Sequence, residues 1–205
     1  MARRWESGRT EAFSDGVFAI AITLLVLTIP QPDNFRQLGD SLLNQWPAYA
    51  AYLVSFAVIG IMWLNHHTVF GHFDHVDRNL VYLNLALLAT VVFVPYPTGV
   101  FGEALQRGHG ETVAAVFYSI VMTINALAWA ALWWYGSANR RLLSQEFPED
   151  QRRPATISFN IGPFLYACTI VVALINPYVC LALHGTLAVY YALDPLSRFV
   201  ARLTE

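Results

Sequence analysis

The groups that could do chemistry in this sequence are the polar side chains set among apolar ones. Ser14 and Asp15 stand at the mouth of a charge-free run of about 17 residues that begins at Gly16. Thr23 puts a hydroxyl midway along that run. Asn65, His66, His67 and Thr68 close a second apolar run, and Asn84 lies one turn into a third. A carboxylate at the edge of hydrocarbon is costly unless donors meet it, so Asp15 calls for partners. Four of the six histidines fall between His66 and His75. They could bind zinc, sense protons near neutral pH, or serve as hydrogen-bonded structural groups. The zinc reading is weak: His72-x-x-His75 lies outside the apolar run, no cysteine is near, and the only close acids are Asp74 and Asp77. No metal and no resident cofactor are expected. We find no nucleophile–base pair and no phosphate-binding loop, so an enzyme is not expected. No charge falls at the middle of any apolar run, which is unlike a proton-driven transporter.

The elements that must position these groups are long apolar helices. Of 205 residues, 56% are apolar and 13% charged, against about 25% charged in a soluble domain. The formal charge of −2 gives no reason to expect a nucleic-acid partner. Charge-free runs delimit spans at about residues 12–30, 47–70, 79–101, 112–135, 156–175 and 177–193, with Asn176-Pro177 turning the last pair. The expectation is an all-α membrane protein: one six-helix domain over residues 1–205, embedded in the lipid bilayer. With both termini cytoplasmic, Arg3, Arg4, Arg9, Arg78, Arg140, Arg141, Arg152, Arg153, Arg198 and Arg202 lie inside. Only Arg36 and Arg107 remain outside, as the positive-inside rule requires. The loop from Gly136 to Arg153 is basic and could hold a short interfacial helix. Cys168 and Cys180 read as buried small hydrophobes.

Projected on a helix, Ile20, Thr23, Leu24 and Leu27 form one narrow stripe at i, i+3, i+4, i+7, which Phe13 and Gly16 extend. Asp15 points almost opposite and Ser14 to the side. The stripe could be ordinary helix packing, with Thr23 bonded back to a carbonyl one turn earlier. It also suits repetition about an axis, where four copies would stack apolar rings able to gate a pore by dewetting. At the cytoplasmic depth of Ser14 and Asp15 lie His66, His67 and Asn84. Asp15, Ser14, one of the two histidines and Asn84 could therefore form a single hydrogen-bonded cluster joining three helices.

Arg9-x-x-x-Phe13-Ser14-Asp15, followed by Gly16-Val-Phe-Ala-Ile-Ala-Ile-Thr-Leu-Leu-Val-Leu, resembles the first-helix signature of the transmembrane protein 175 family. These are endosomal and lysosomal potassium channels of animals with prokaryotic relatives. Trp63-x-Asn65-His66-His67 and Asn84 extend the resemblance more loosely. It implies a potassium-permeable homotetramer with the first helix lining a central pore. Ile20 would be the main constriction, Leu24 and Leu27 further apolar layers, and Thr23 the hydroxyl favouring the permeant potassium ion. Arg9, Phe13, Ser14 and Asp15 would tie the first helix to the next two. The animal relatives carry two such modules per chain and this chain one, which implies a prokaryotic member in the plasma membrane. A proton-conducting or weakly selective cation pore, a secondary transporter and a non-conducting scaffold are the alternatives. Thr98-Gly-Val-Phe-Gly102 looks like a carbonyl-ring potassium filter, but its glycine order is wrong and it ends a full-length span. We expect it to have no such role, and Pro95 and Pro97 to kink or end that span.

Overall fold

The structure, a computed structural model, describes residues 7–32 and 34–193. Among them every regular element is a helix, apart from one isolated bridge between Phe73 and Leu143. The helices are α1 (Ser7–Leu24, continued as a 3-10 turn over Leu25–Thr28), α2 (Leu38–Asn44), α3 (Trp46–Gly71), α4 (Arg78–Phe93), α5 (Pro95–Arg107), α6 (Glu111–Ser137), α7 (Glu149–Ile175) and α8 (Pro177–Leu193). Among the described residues, five units are long and apolar enough to cross a membrane: Ser7–Thr28, Trp46–Gly71, Arg78–Arg107, Glu111–Arg140 and Glu149–Ile175. Pro177–Leu193 is a shorter apolar helix. Of the arginines in the inside-positive count, Arg3, Arg4, Arg198 and Arg202 lie outside the described residues.

Local chemistry sets the boundaries. Asp77 caps α4 by accepting from the Leu80 amide at 2.9 Å, which satisfies one of the orphan donors at a helix start. Gly108 ends α5 in the left-handed conformation (φ 66°), which costs glycine nothing. Asn176 turns α7 into α8: its backbone is extended, and its Oδ1 accepts from the Tyr178 and Val179 amides. Pro95 breaks the third hydrophobic unit without ending it. Its ring removes one amide from the ladder, and helix resumes at once as far as Arg107. The unit is longer than its charge-free run because Glu103 and Arg107 pair across one turn at 2.6 Å, carrying helix past the apolar stretch.

The loop between α6 and α7 holds a 3-10 turn (Ala138–Arg140) but no separate interfacial helix. Arg140 holds this loop together instead. It bonds the Ser144 and Phe147 carbonyls and pairs with Glu149 in the first turn of α7. Glu149 and Asp150 there complement the helix N-terminus.

α1 packs on α3 and α4, and α6 pairs extensively with α7. Lipid removes most of the hydrophobic drive between membrane helices, so close approach and interhelical hydrogen bonds carry their packing. Small residues supply the approach. A Cβ at Gly102 would lie 3.0 Å from the Ala48 Cα, and one at Gly99 would lie 3.1 Å from the Thr28 Cβ. The filter-like segment Thr98–Gly102 is thus helix, its glycines turned to neighbouring helices. Thr98 donates to Ser55 at 2.8 Å, and Ser55 meets the Tyr118 hydroxyl at 2.9 Å, joining α5, α3 and α6. Cys180 is buried, but Cys168 is exposed. An apolar neighbourhood along the chain does not separate a core face from an outer one.

Candidate functional site

α1 has two faces that differ in what covers them. Ser14, Phe18, Ala21 and Leu25 are buried, at i, i+4, i+7, i+11. This face lies on α3 and α4. The other face holds Phe13, Gly16, Ile20, Thr23, Leu24 and Leu27, all exposed on the single chain. Ile20 is 58% exposed and Leu27 76%, while Ala21 and Leu25 are at 0%. Both faces are mostly apolar with one hydroxyl each, so polarity does not distinguish them; covering does. Thr23 Oγ1 lies 3.0 Å from the Ala19 carbonyl and 2.9 Å from that of Ile20. Its one proton is thereby shared between two backbone acceptors, and the oxygen lone pairs remain on the exposed face.

The packed face carries a polar relay. Ser14 donates to the Thr10 carbonyl at 2.8 Å and accepts from Asn84 Nδ2 at 2.9 Å. Asn84 Oδ1 lies 2.9 Å from His66 Nε2. With Ser14 donating to the backbone, Asn84 must offer its amide hydrogens to Ser14 and its oxygen to His66. His66 therefore carries its proton on Nε2. Ser14, His66 and Asn84 are all nearly inaccessible, at 0%, 1% and 1%. Aromatic rings hold the imidazole: Phe70 stacks on it at 4.3 Å, and Phe18 meets it edge-on at 5.4 Å.

The structure thus brings Ser14, His66 and Asn84 together from α1, α3 and α4. His67, about 100° further round α3, is exposed and outside the relay. Asp15 also stands apart, contrary to the expected single cluster. It is exposed, and its Oδ1 accepts from the Trp63 indole at 2.9 Å. Consecutive residues on a helix point about 100° apart; here the serine takes the interior and the acid takes the indole. Phe13 is on the exposed face, 56% accessible, rather than on the packed one. Arg9 is exposed and makes no salt bridge among the described residues. Sequence reasoning did not assign Trp63 a role, although an indole donor one turn before His66 was a usable signal.

The remaining histidines of the cluster lie past α3. His72 meets the Phe147 ring edge-on at 4.8 Å, and its carbonyl accepts from the Ser144 amide at 2.9 Å. Burial pushes its imidazole below the ordinary value. Among the described residues no three His, Cys, Asp or Glu side chains are grouped to hold a metal ion.

Comparison with known proteins places this arrangement. The family described as endosomal/lysosomal potassium channel TMEM175 matches residues 9–95, which contain both faces of α1 and the relay. A potassium channel of Streptomyces collinus is 48% identical over 191 residues, covering 92% of this chain and 93% of that protein. The crystal structure of a lysosomal potassium-selective channel TMEM175 homolog from Chamaesiphon minutus superposes with a TM-score of 0.82 at 38% identity. It covers 92% of this chain and 97% of that one. The endosomal/lysosomal proton channel TMEM175 of Gallus gallus is 36% identical over 129 residues, 58% of this chain but only 25% of that protein. By sequence across nearly its whole length and by fold, the chain belongs to the TMEM175 family of ion channels.

Proposed function

We propose that this chain is a potassium-permeable channel in which four copies of α1 surround a central conduit. The observation that carries the reading is the uncovered stripe Ile20–Thr23–Leu24–Leu27 on a helix whose opposite face is fully packed. A closed symmetric assembly turns such a stripe into stacked rings. Ile20 forms the main constriction, and Leu24 and Leu27 form further apolar layers. Rings of this kind block ions by dewetting when narrow and pass them when they splay. The Thr23 oxygens lie at one level between these layers and favour potassium there. Arg9, Phe13, Ser14 and Asp15 at the start of α1, with His66 and His67 of α3 and Asn84 of α4, anchor the rings, with Ser14, His66 and Asn84 as the buried tie.

Residues 1–205 form one module, with α8 as the sixth crossing after the five longer units and both termini on the cytoplasmic side. The naming of the two bacterial relatives as potassium channels supports a potassium pathway in a plasma membrane. A proton pathway on the same architecture is the second reading, favoured by the vertebrate relatives named as proton channels. The test is potassium flux from purified protein in liposomes, with subunits counted by mass and reversal potentials taken under a pH gradient. Ile20→Asn, which wets the constriction, should raise the current above wild type. Unchanged current would remove Ile20 from the conduit, and a reversal potential following the proton gradient would favour the second reading.

A further inference from the structure

A crevice of about 620 Å³ lies between α3 and α7, away from the uncovered face of α1. The two helices hardly touch, and α6 forms the floor between them. Its volume is in the range of small-molecule sites, about 300–1,000 Å³. Along α7 the lining runs from Asp150 to Tyr166, about 24 Å at helical rise. The crevice is therefore long rather than round.

Its chemistry is graded. The floor and one wall are aromatic: Trp129 and Phe159 stack at 6.2 Å, and Trp133 and Phe159 at 4.9 Å. Among the lining residues the acid is Asp150, at the mouth, where it makes no salt bridge among the described residues. His72 also reaches the mouth, and its burial favours the neutral ring. Tyr191 lines the inner part, and its hydroxyl is buried with no hydrogen-bond partner among the described residues. A native structure rarely leaves such a group unmet.

We propose that this crevice binds a single-chain cationic amphiphile, with its apolar chain along the aromatic floor and its protonated amine at Asp150. The aromatic faces add attraction for the cation near the mouth. An acceptor atom on the chain side, such as an ether or hydroxyl oxygen, satisfies Tyr191. A carboxylate headgroup is disfavoured by Asp150, which makes the site selective by charge. The proposal does not depend on the conduit reading, because none of its residues lies on α1.

The test uses the full chain in phosphatidylcholine vesicles and a photoactivatable dodecylamine carrying a mid-chain diazirine. Matched dodecanoate and dodecanol probes serve as comparisons, and labelled residues are mapped by mass spectrometry. The amine should label α3 and α7 saturably, and more strongly than the carboxylate. Asp150→Asn should weaken that labelling about fivefold. Ala155→Phe, which fills the crevice, should abolish it while potassium flux persists; Ser158→Phe is the second filling variant should the first not fold. Equal labelling by amine and carboxylate, or labelling indifferent to Asp150→Asn and to both filling variants, would overturn the proposal.

Discussion

Asn84 of α4 donates a hydrogen bond to Ser14 of α1 across 2.9 Å, and its oxygen receives His66 of α3. One amide thereby sets the position of the helix that carries the exposed stripe. Asn84→Leu keeps the volume and removes both contacts. It leaves the His66 N–H buried without an acceptor, at a cost of about 1–3 kcal/mol. Ser14→Ala also leaves a buried N–H unmet, that of Asn84, but it loses only this one interhelical bond, which in membrane proteins averages about 0.6 kcal/mol, and keeps the bond between Asn84 and His66. Asn84→Leu should therefore lower the unfolding temperature in detergent clearly more than Ser14→Ala does. Equal losses would show that His66 does not depend on Asn84.

Asp15 and Trp63 form a second tie between α1 and α3, on the exposed side of the first. If the carboxylate matters chiefly through this indole, Asp15→Ala and Trp63→Phe should reduce the yield of assembled oligomer to a similar degree. The double variant should be no worse than either single one. Ion selectivity should change little in all three. Normal assembly of Asp15→Ala, or additive losses in the double variant, would separate the two residues.

How far these relationships were legible in the sequence depends on what each one required. The apolar runs could be read because charges bracket them, and Asn176-Pro177 could be read as a turn because both residues act through their own backbone. The length of the α4–α5 unit could not. Glu103 and Arg107 neutralise each other across a turn, so a charge that marks an end elsewhere sits inside helix here. α2 was missed because seven residues, Leu38–Asn44, carry too short a pattern. Periodicity separated Ile20, Thr23, Leu24 and Leu27 from Ser14 and Asp15, yet both faces of α1 are largely apolar. Only the packed neighbours say which one is covered. Between His66 and His67 the sequence offers no choice; a rotation of about 100° decides it. Asp15 was drawn towards the buried amide because a carboxylate needs donors, and an indole supplies the one it has.

His72, just past the end of α3, gives the fold a pH dependence of predictable sign. Its folded-state value is lowered by burial from the ordinary 6.5. The folded chain therefore binds its proton less readily than the unfolded chain does. The stability tied to the neutral ring is complete above about pH 6.5 and declines as pH falls below it. His72→Gln removes this term. Between about pH 7.5 and about pH 5.5 the unfolding temperature of the wild type should drop further than that of the variant. Identical drops would mean that the Phe147 contact does not discriminate between the two forms of the ring.

Thr23 tests the conduit reading at a single atom. Its hydroxyl proton is held by the Ala19 and Ile20 carbonyls, so the group presents lone pairs outward and behaves as an acceptor. Four such oxygens around an axis offer a cation partial replacement of its water, whereas the leucine and isoleucine rings offer none. Potassium is dehydrated more easily than sodium and gains most from weak, widely spaced acceptors. Thr23→Ala removes the oxygens while leaving the apolar layers. With potassium inside and sodium outside, its reversal potential should move towards zero relative to wild type. Thr23→Ser keeps the oxygen and should hold the wild-type value. An unshifted potential in Thr23→Ala would mean that discrimination arises elsewhere along the stripe. A shift of equal size in both variants would point to the lost methyl, and hence to the width of the rings, rather than to the hydroxyl.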